Sequence, residues 1–102
     1  MTVRQRALAR IDVIDIGDAY AAIRMELAHD FVLKYEQFLE GISDVPKMCG
    51  KVSKCPRGRD IREGLFDTYP YIVTYELTAT EIIILSVVHA RRNDKPWLDR
   101  IG

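Results

Sequence analysis

The sequence predicts an α+β fold in which an N-terminal two-helix hairpin packs on a small antiparallel β-sheet. In the first half of the chain, apolar residues recur every three or four positions, which is the period of an amphipathic helix. The second half is rich in β-branched and aromatic residues, which favour strands. Its stretch 81–92 is apolar on both faces of an extended chain, as in a central strand that is covered on both sides.

The first predicted elements are a short strand at residues 2–6 and a helix that begins at about Ala7. The apolar residues of this helix share one face, at spacings of four, three and four: Ala9, Val13, Ile16 and Tyr20. Because glycine weakens a helix, we expect a kink or an end near Gly17–Asp18.

A second, longer helix is predicted to begin at Ala19 or Met25 and to run to Leu39. Its apolar stripe comprises Ala28, Phe31, Tyr35, Phe38 and Ile42. Gly41 is a common C-terminal stop, and Pro46 cannot continue a helix. The two helices should therefore form an antiparallel hairpin whose apolar faces need a common surface.

The rest of the chain is predicted to be a loop at 43–59 followed by three strands in a meander. The strands are expected at 60–66, 71–77 and 81–92, joined by a turn at 67–70 and a short link at 78–80. Residues 93–96 should end the last strand, and an apolar-spotted tail follows at 97–101.

Both faces of the last strand need a cover. Simple alternation places Ile82, Ile84 and Val88 on one face and Ile83, Leu85 and Val87 on the other. Two helices can cover only one face of a small sheet. The other face is therefore expected to lie under the tail, through Trp97, Leu98 and Ile101, or under a partner chain.

Charge and cysteine content limit the classes of function. A formal net charge of zero excludes a uniformly basic nucleic-acid coat, although residues 47–62 carry six Lys or Arg against one Asp. Cys49 and Cys55 lack the further Cys or His of a zinc site, so we expect reduced thiols, with a disulfide forming only under oxidising conditions. The N-terminus has no apolar run of the kind found in signal peptides and no stretch resembles a membrane span, so neither is expected. We therefore expect one cytoplasmic domain, residues 1–102, without metal or cofactor.

The sequence contains no phosphate-binding loop, zinc-protease motif or nucleophile elbow. The candidate binding groups are Arg57, Arg59, Arg62, His89, Arg91 and Arg92. Such a set suits a phosphate backbone or an acidic protein surface equally well, and the basic loop is also typical of solvated surface. Metal-free RNA cleavage needs a general base and a general acid. His89 could serve as the base, but no second residue that could serve as the acid is evident. A histidine at the end of a buried strand is more often structural.

Short motifs follow one another along nearly the whole chain: Ala28-x-x-Phe31…Phe38…Ile42…Pro46…Gly50, Gly58–Arg62, Tyr71-Ile72-Val73-x-Tyr75 and Ile82–Arg92. In this order and spacing they resemble the ParE/RelE superfamily, the toxins of type II toxin–antitoxin modules, also called plasmid stabilisation proteins. The resemblance implies a helical hairpin on a small antiparallel sheet, in agreement with the elements predicted above.

The function that the resemblance implies depends on the branch of the superfamily. ParE-like members poison DNA gyrase and block replication without being nucleases, whereas RelE-like members cleave mRNA in the ribosomal A site. Tyr71 stands where RelE-like enzymes usually carry an arginine, and Trp97, which cannot donate a proton as a general acid, stands nearest their C-terminal tyrosine. The ending His89–Arg92 is similar to that of ParE-like members. The ParE-like branch is therefore favoured, with no catalytic residue.

The resemblance also implies a small ParD-like antitoxin as partner and DNA gyrase as target, with no membrane contact and no direct nucleic-acid contact. The residues expected to bind target or antitoxin are Arg57, Arg59, Arg62, His89, Arg91, Arg92 and Trp97. Two alternatives stay open. In a RelE-like ribonuclease, His89, Arg91 and Arg62 would be catalytic, and a detoxified relative would only bind antitoxin.

Overall fold

The computed structural model describes residues 1–66, 68–92 and 94–101. In chain order the elements are β1 (Thr2–Gln5), α1 (Ala7–Ile23), α2 (Met25–Asp44), β2 (Ile61–Leu65), β3 (Tyr71–Leu77), β4 (Glu81–His89) and α3 (Trp97–Arg100). Three residues lie outside the described ones: Asp67 of the predicted turn, Asn93 at the predicted end of the last strand and Gly102 at the end of the predicted domain.

The four strands form one sheet in the order β1-β4-β3-β2, so β4 is central as predicted. The pairs β2–β3 and β3–β4 are antiparallel and form the expected meander. β1 pairs with β4 in parallel, with Thr2 opposite Glu81, which is possible because both helices lie between these strands in the chain. The α+β fold is confirmed, and the sheet is mixed rather than wholly antiparallel.

A β-bulge in β4 changes which residues face the helices. Tyr75 pairs with Ile84 but Thr74 pairs with Ser86, so Leu85 is an extra residue without a partner on β3. Beyond this point the alternation is inverted. Val87 therefore packs in the core under the helices, and Val88 lines the other face. The predicted faces of Val87 and Val88 were wrong for this reason.

Neither glycine ends a helix where the sequence predicted it. α1 continues through Gly17 to Ile23, and a single extended residue, Arg24, separates it from α2. α2 continues through Gly41 to Asp44. It ends there because the residue before a proline is disfavoured in helical conformation, and Val45, which precedes Pro46, has φ −130° and ψ 81°. The predicted helix end near Gly17–Asp18 and the stop at Gly41 were both wrong.

The sheet has a separate hydrophobic core on each face. The core under the helices is the larger one and includes Phe31, Tyr35, Ile82 and Ile84. The second core, on the helix-free face, consists of Val52, Ile61, Ile83, Leu85 and Trp97, with Cys55 and Ile101 packed against it. Of the two covers that the sequence left open for this face, the structure shows the tail, through Trp97 and Ile101; Leu98 is exposed.

An ion pair between Asp12 and Arg100 stabilises the edge of β4 that has no strand neighbour, and it attaches α3 to the domain. β1 ends at Gln5, so β4 has no strand neighbour on that side beyond Ile84. The Val87 N–H instead donates to Asp12 Oδ2 at 3.0 Å, and Arg100 Nη1 donates to the Leu85 carbonyl at 2.9 Å. Arg100 also donates to Asp12 Oδ2 at 2.7 Å, which connects α1, β4 and α3.

Candidate functional site

The β4 rim, which we define as residues 89–92, is a tightly held turn at the C-terminal end of the central strand. The Ala90 N–H donates to the Pro70 carbonyl at 2.8 Å, and the Arg92 N–H donates to the His89 carbonyl at 3.0 Å. Tyr71 lies opposite His89 on β3, and their rings meet edge to face with centroids 5.3 Å apart. The backbone of the rim is therefore fixed, and it projects Arg91 and Arg92 into solvent.

The hydrogen bond that His89 accepts decides what its imidazole can do. The Arg91 N–H donates to His89 Nδ1 at 3.1 Å, so in the neutral ring the proton resides on Nε2. A general base must present an unprotonated nitrogen to its substrate, and here that nitrogen is already occupied by the backbone. In this arrangement His89 offers a hydrogen-bond donor at Nε2.

The two arginines of the rim differ in their partners. Arg92 Nε donates to Asp94 Oδ1 at 2.7 Å, and Arg92 Nη2 donates to Asp94 Oδ2. This hydrogen bonding lowers the pKa of Asp94, so the carboxylate stays ionised. Both side chains are 53% exposed, so water screens the pair and a partner can compete for Arg92. Arg91 is exposed and forms no side-chain ion pair with the residues that the structure describes.

Beside the rim, the helix-free face of the sheet contains a cleft of about 220 Å³. Its lining residues are Glu63, Ile72, Thr74, Val88, Arg92, Asp94, Lys95 and Trp97. Sequence reasoning did not identify Glu63, Thr74 or Lys95 as parts of a site. Alternation along β3 was a usable signal for Thr74, because Ile72 and Thr74 face away from the helix-side residue Val73.

Arg59 and Arg62 bind carboxylates inside the domain. Arg59 donates from Nε and Nη2 to Glu76, whose side chain is 8% exposed, and from Nη2 to the Ile101 carbonyl at 3.0 Å. Hydrogen bonding to Glu76 raises the pKa of Arg59. Arg62, with a side chain 13% exposed, donates to Asp60 at 2.8 Å and to the Cys49 carbonyl at 2.7 Å. Target binding by these two arginines stays a prediction.

The structure brings together only part of the predicted set. His89, Arg91 and Arg92 form the rim, and Trp97 lies in the adjoining cleft but is only 4% exposed. Arg59 lies at the opposite end of the sheet, because its partner Glu76 pairs with Ile83 near the start of β4. Six residues of extended chain separate Ile83 from His89, which is about 20 Å at roughly 3.3 Å per residue. Arg57 is exposed on the loop that precedes Arg59.

The two cysteines are free and lie on opposite faces of the sheet. Cys49 packs against the helix-side core and Cys55 against the second core, so the sheet separates two free thiols. Within residues 1–66, 68–92 and 94–101, no group of three or more His, Cys, Asp or Glu is placed to hold a metal ion. In the same part of the chain, no helix has the length and apolar content needed to cross a membrane.

Comparison with known proteins gives one family and one fold. Residues 3–94 match the family described as ParE toxin of type II toxin–antitoxin system, parDE. A solved structure of the chromosomal ParDE TA system from P. aeruginosa matches with a TM-score of 0.73. The match covers 87% of this chain and 95% of that chain at 20% sequence identity, so it shows a shared fold. No match is found among curated proteins.

Proposed function

Because the chain belongs to the ParE toxin family of type II toxin–antitoxin systems, we propose that it is a toxin that inhibits DNA gyrase and is neutralised by a ParD-like antitoxin. The observation that carries the proposal is the β4 rim, which presents Arg91 and Arg92 in solvent on a fixed backbone. Arginine is well suited to bind carboxylates of a partner protein, and a fixed backbone limits the entropy lost on binding to that of the side chains.

A binding role for the rim fits its chemistry better than a nuclease role. Cleavage at the 2′-hydroxyl of RNA needs a free base, an acid for the leaving oxygen and cations around the phosphate. The Nδ1 atom of His89 accepts a backbone N–H, and Arg62 is bound to Asp60 and Cys49. These contacts support a surface that acts by binding rather than by proton transfer.

A second exposed surface supports the antitoxin partner. Leu8, Ile11 and Ile14 recur every three residues along α1 and are 51%, 48% and 56% exposed. Contiguous apolar surface of this kind on a small domain is typical of a protein interface. We propose that the antitoxin covers this side of α1. Both interactions would take place in the cytoplasm, where gyrase acts.

The proposal is tested by a supercoiling assay with purified gyrase and toxin, with and without the antitoxin encoded beside the toxin gene. We expect inhibition of supercoiling that the antitoxin relieves. Expression of the toxin alone should arrest growth. If growth continued, the chain would be a detoxified relative that only binds antitoxin. Gyrase that is unaffected at a large excess of folded toxin would refute the proposed target.

The ribonuclease alternative is favoured by one observation, the cleft beside the rim. It combines the carboxylate of Glu63 with the cations Arg92 and Lys95, which could act on a phosphate. A translation extract tests this alternative. Cuts in mRNA that appear with the wild type and disappear with Glu63→Gln would establish it, and intact mRNA would exclude it.

A further inference from the structure

The loop before β2 is attached to that strand at its N-terminal end. We call residues 50–58 the basic loop. Backbone hydrogen bonds join it to β2 from Val52 N–H to the Ile61 carbonyl at 2.9 Å and from Glu63 N–H to the Gly50 carbonyl at 3.1 Å. Val52 is 5% exposed, and its side chain and that of Cys55 pack against the second core. The loop is therefore ordered by its apolar residues, which face inward.

What the basic loop presents to solvent is almost entirely positive charge. Lys51, Lys54 and Arg57 are exposed, and their side chains form no ion pair with any residue in the described part of the chain. Two of the neighbouring acids are already bound, because Asp60 pairs with Arg62 and Glu76 pairs with Arg59. The third, Glu63, is exposed and forms no ion pair with the side chains of the loop, all of which the structure describes. The loop charges are thus not neutralised locally, although the whole chain has a formal net charge of zero.

The composition of this surface indicates the class of partner. The cores of protein interfaces are enriched in aromatic residues and depleted in Lys, and the loop exposes no aromatic or large apolar side chain. It also has no ring on which an unpaired base of a single strand could stack. The phosphate backbone of a duplex, in contrast, can be bound by exposed Lys and Arg without any aromatic side chain.

We propose that the basic loop binds the phosphates of duplex DNA through Lys51, Lys54 and Arg57. From the sequence alone, direct nucleic-acid contact is expected only in the ribonuclease alternative. The structure of the loop leads to the new inference, because its apolar residues face inward and its cations are unpaired. The binding is independent of DNA sequence, because contacts to phosphates carry no sequence information. It does not depend on gyrase being the target.

The test is fluorescence anisotropy of a labelled DNA duplex titrated with the full-length toxin at several salt concentrations. Three phosphate contacts predict a slope of log Kobs against log salt of about −2.7, at about −0.9 per contact. Affinity should then fall about 40-fold between about 50 and about 200 mM salt. Each of Lys51→Gln, Lys54→Gln and Arg57→Gln should reduce the slope by about 1, and the triple variant should abolish the salt-dependent binding.

The matched control is Arg10→Gln/Arg24→Gln/Lys47→Gln, which removes three exposed cations outside the loop. It should bind DNA like the wild type. Loss of binding in the control as in the triple variant would assign the effect to overall charge and overturn the proposal. So would absence of salt-dependent binding by the wild type, or tighter binding to single-stranded DNA, to an RNA duplex or to a polyglutamate peptide than to the DNA duplex.

Discussion

The ion pair between Asp12 and Arg100 should contribute a large part of the stability of this domain. In Asp12→Ala the Val87 N–H loses its acceptor in a residue that is 2% exposed. An unsatisfied buried donor costs about 1–3 kcal/mol. Arg100, whose side chain is 14% exposed, loses its counter-ion but keeps its hydrogen bond to the Leu85 carbonyl. We assign this loss about 1–2 kcal/mol, less than the 3–5 kcal/mol typical of a fully buried pair.

The free energy of unfolding of Asp12→Ala should therefore fall by about 3 kcal/mol, from a total of about 5–10 kcal/mol for a domain of this size. Urea unfolding followed by circular dichroism and by the fluorescence of Trp97 measures it. Asp12→Asn is the matched control, because its amide oxygen can still accept the Val87 N–H while the charge is lost; it should cost only about 1–2 kcal/mol, the loss assigned to the counter-ion. Equal losses in the two variants, or a loss below about 1 kcal/mol in Asp12→Ala, would refute the reasoning.

Three further results follow from local geometry. A Cβ on Gly64 would lie 2.5 Å from Cys49 Sγ, so Gly64→Ala should destabilise by about 1–3 kcal/mol in urea unfolding, and Cys49→Ala should rescue it. Trp97→Ala, at a site 4% exposed, should cost about 3–5 kcal/mol in urea unfolding followed by circular dichroism, because the variant has no tryptophan fluorescence. Retention of full stability would show that α3 is not part of the core. Burial, with a hydrogen bond to Asp30, raises the pKa of Tyr69 to about 12. The unfolded phenol ionises near pH 10, so this stabilisation is present below about pH 10 and is lost as the pH rises towards about 12. Burial also raises the pKa of Tyr35 and of Tyr75. Absorbance titration should therefore show several late-ionising tyrosines, and one fewer in Tyr69→Phe.

Much of the fold could be predicted because periodicity and composition are local properties of the sequence. β3 was predicted at its observed bounds and β2 within one residue at each end, since runs of β-forming residues mark them directly. The ends of the helices were harder to predict from the sequence. Gly17 has no atom within 4 Å of an added Cβ, so nothing at that position requires the helix to break. In α2, packing of the apolar stripe outweighs the roughly 1 kcal/mol penalty of Gly41.

The site was less predictable because it depends on contacts between residues far apart in the chain. No local pattern indicates that Arg59 binds Glu76, or that Asp12 binds Arg100 across 88 positions. The bulge at Leu85 is also invisible in an unbroken apolar run, yet it decides which side of the sheet Val88 lines. The sequence could therefore predict which side chains lie near the end of β4, but not which of them are free to bind a partner.

The central claim is that Arg91 and Arg92 at the β4 rim bind the target. The most direct measurement is gyrase supercoiling in the presence of Arg91→Glu/Arg92→Glu, with folding verified by circular dichroism. An exposed control, Arg10→Glu/Lys47→Glu, makes the same change in charge away from the rim. If each arginine is an interface hot spot of about 2 kcal/mol and the two add, the rim variant should need about 1,000-fold more protein for the same inhibition. The control should inhibit like the wild type. Undiminished inhibition by a folded rim variant would contradict the account.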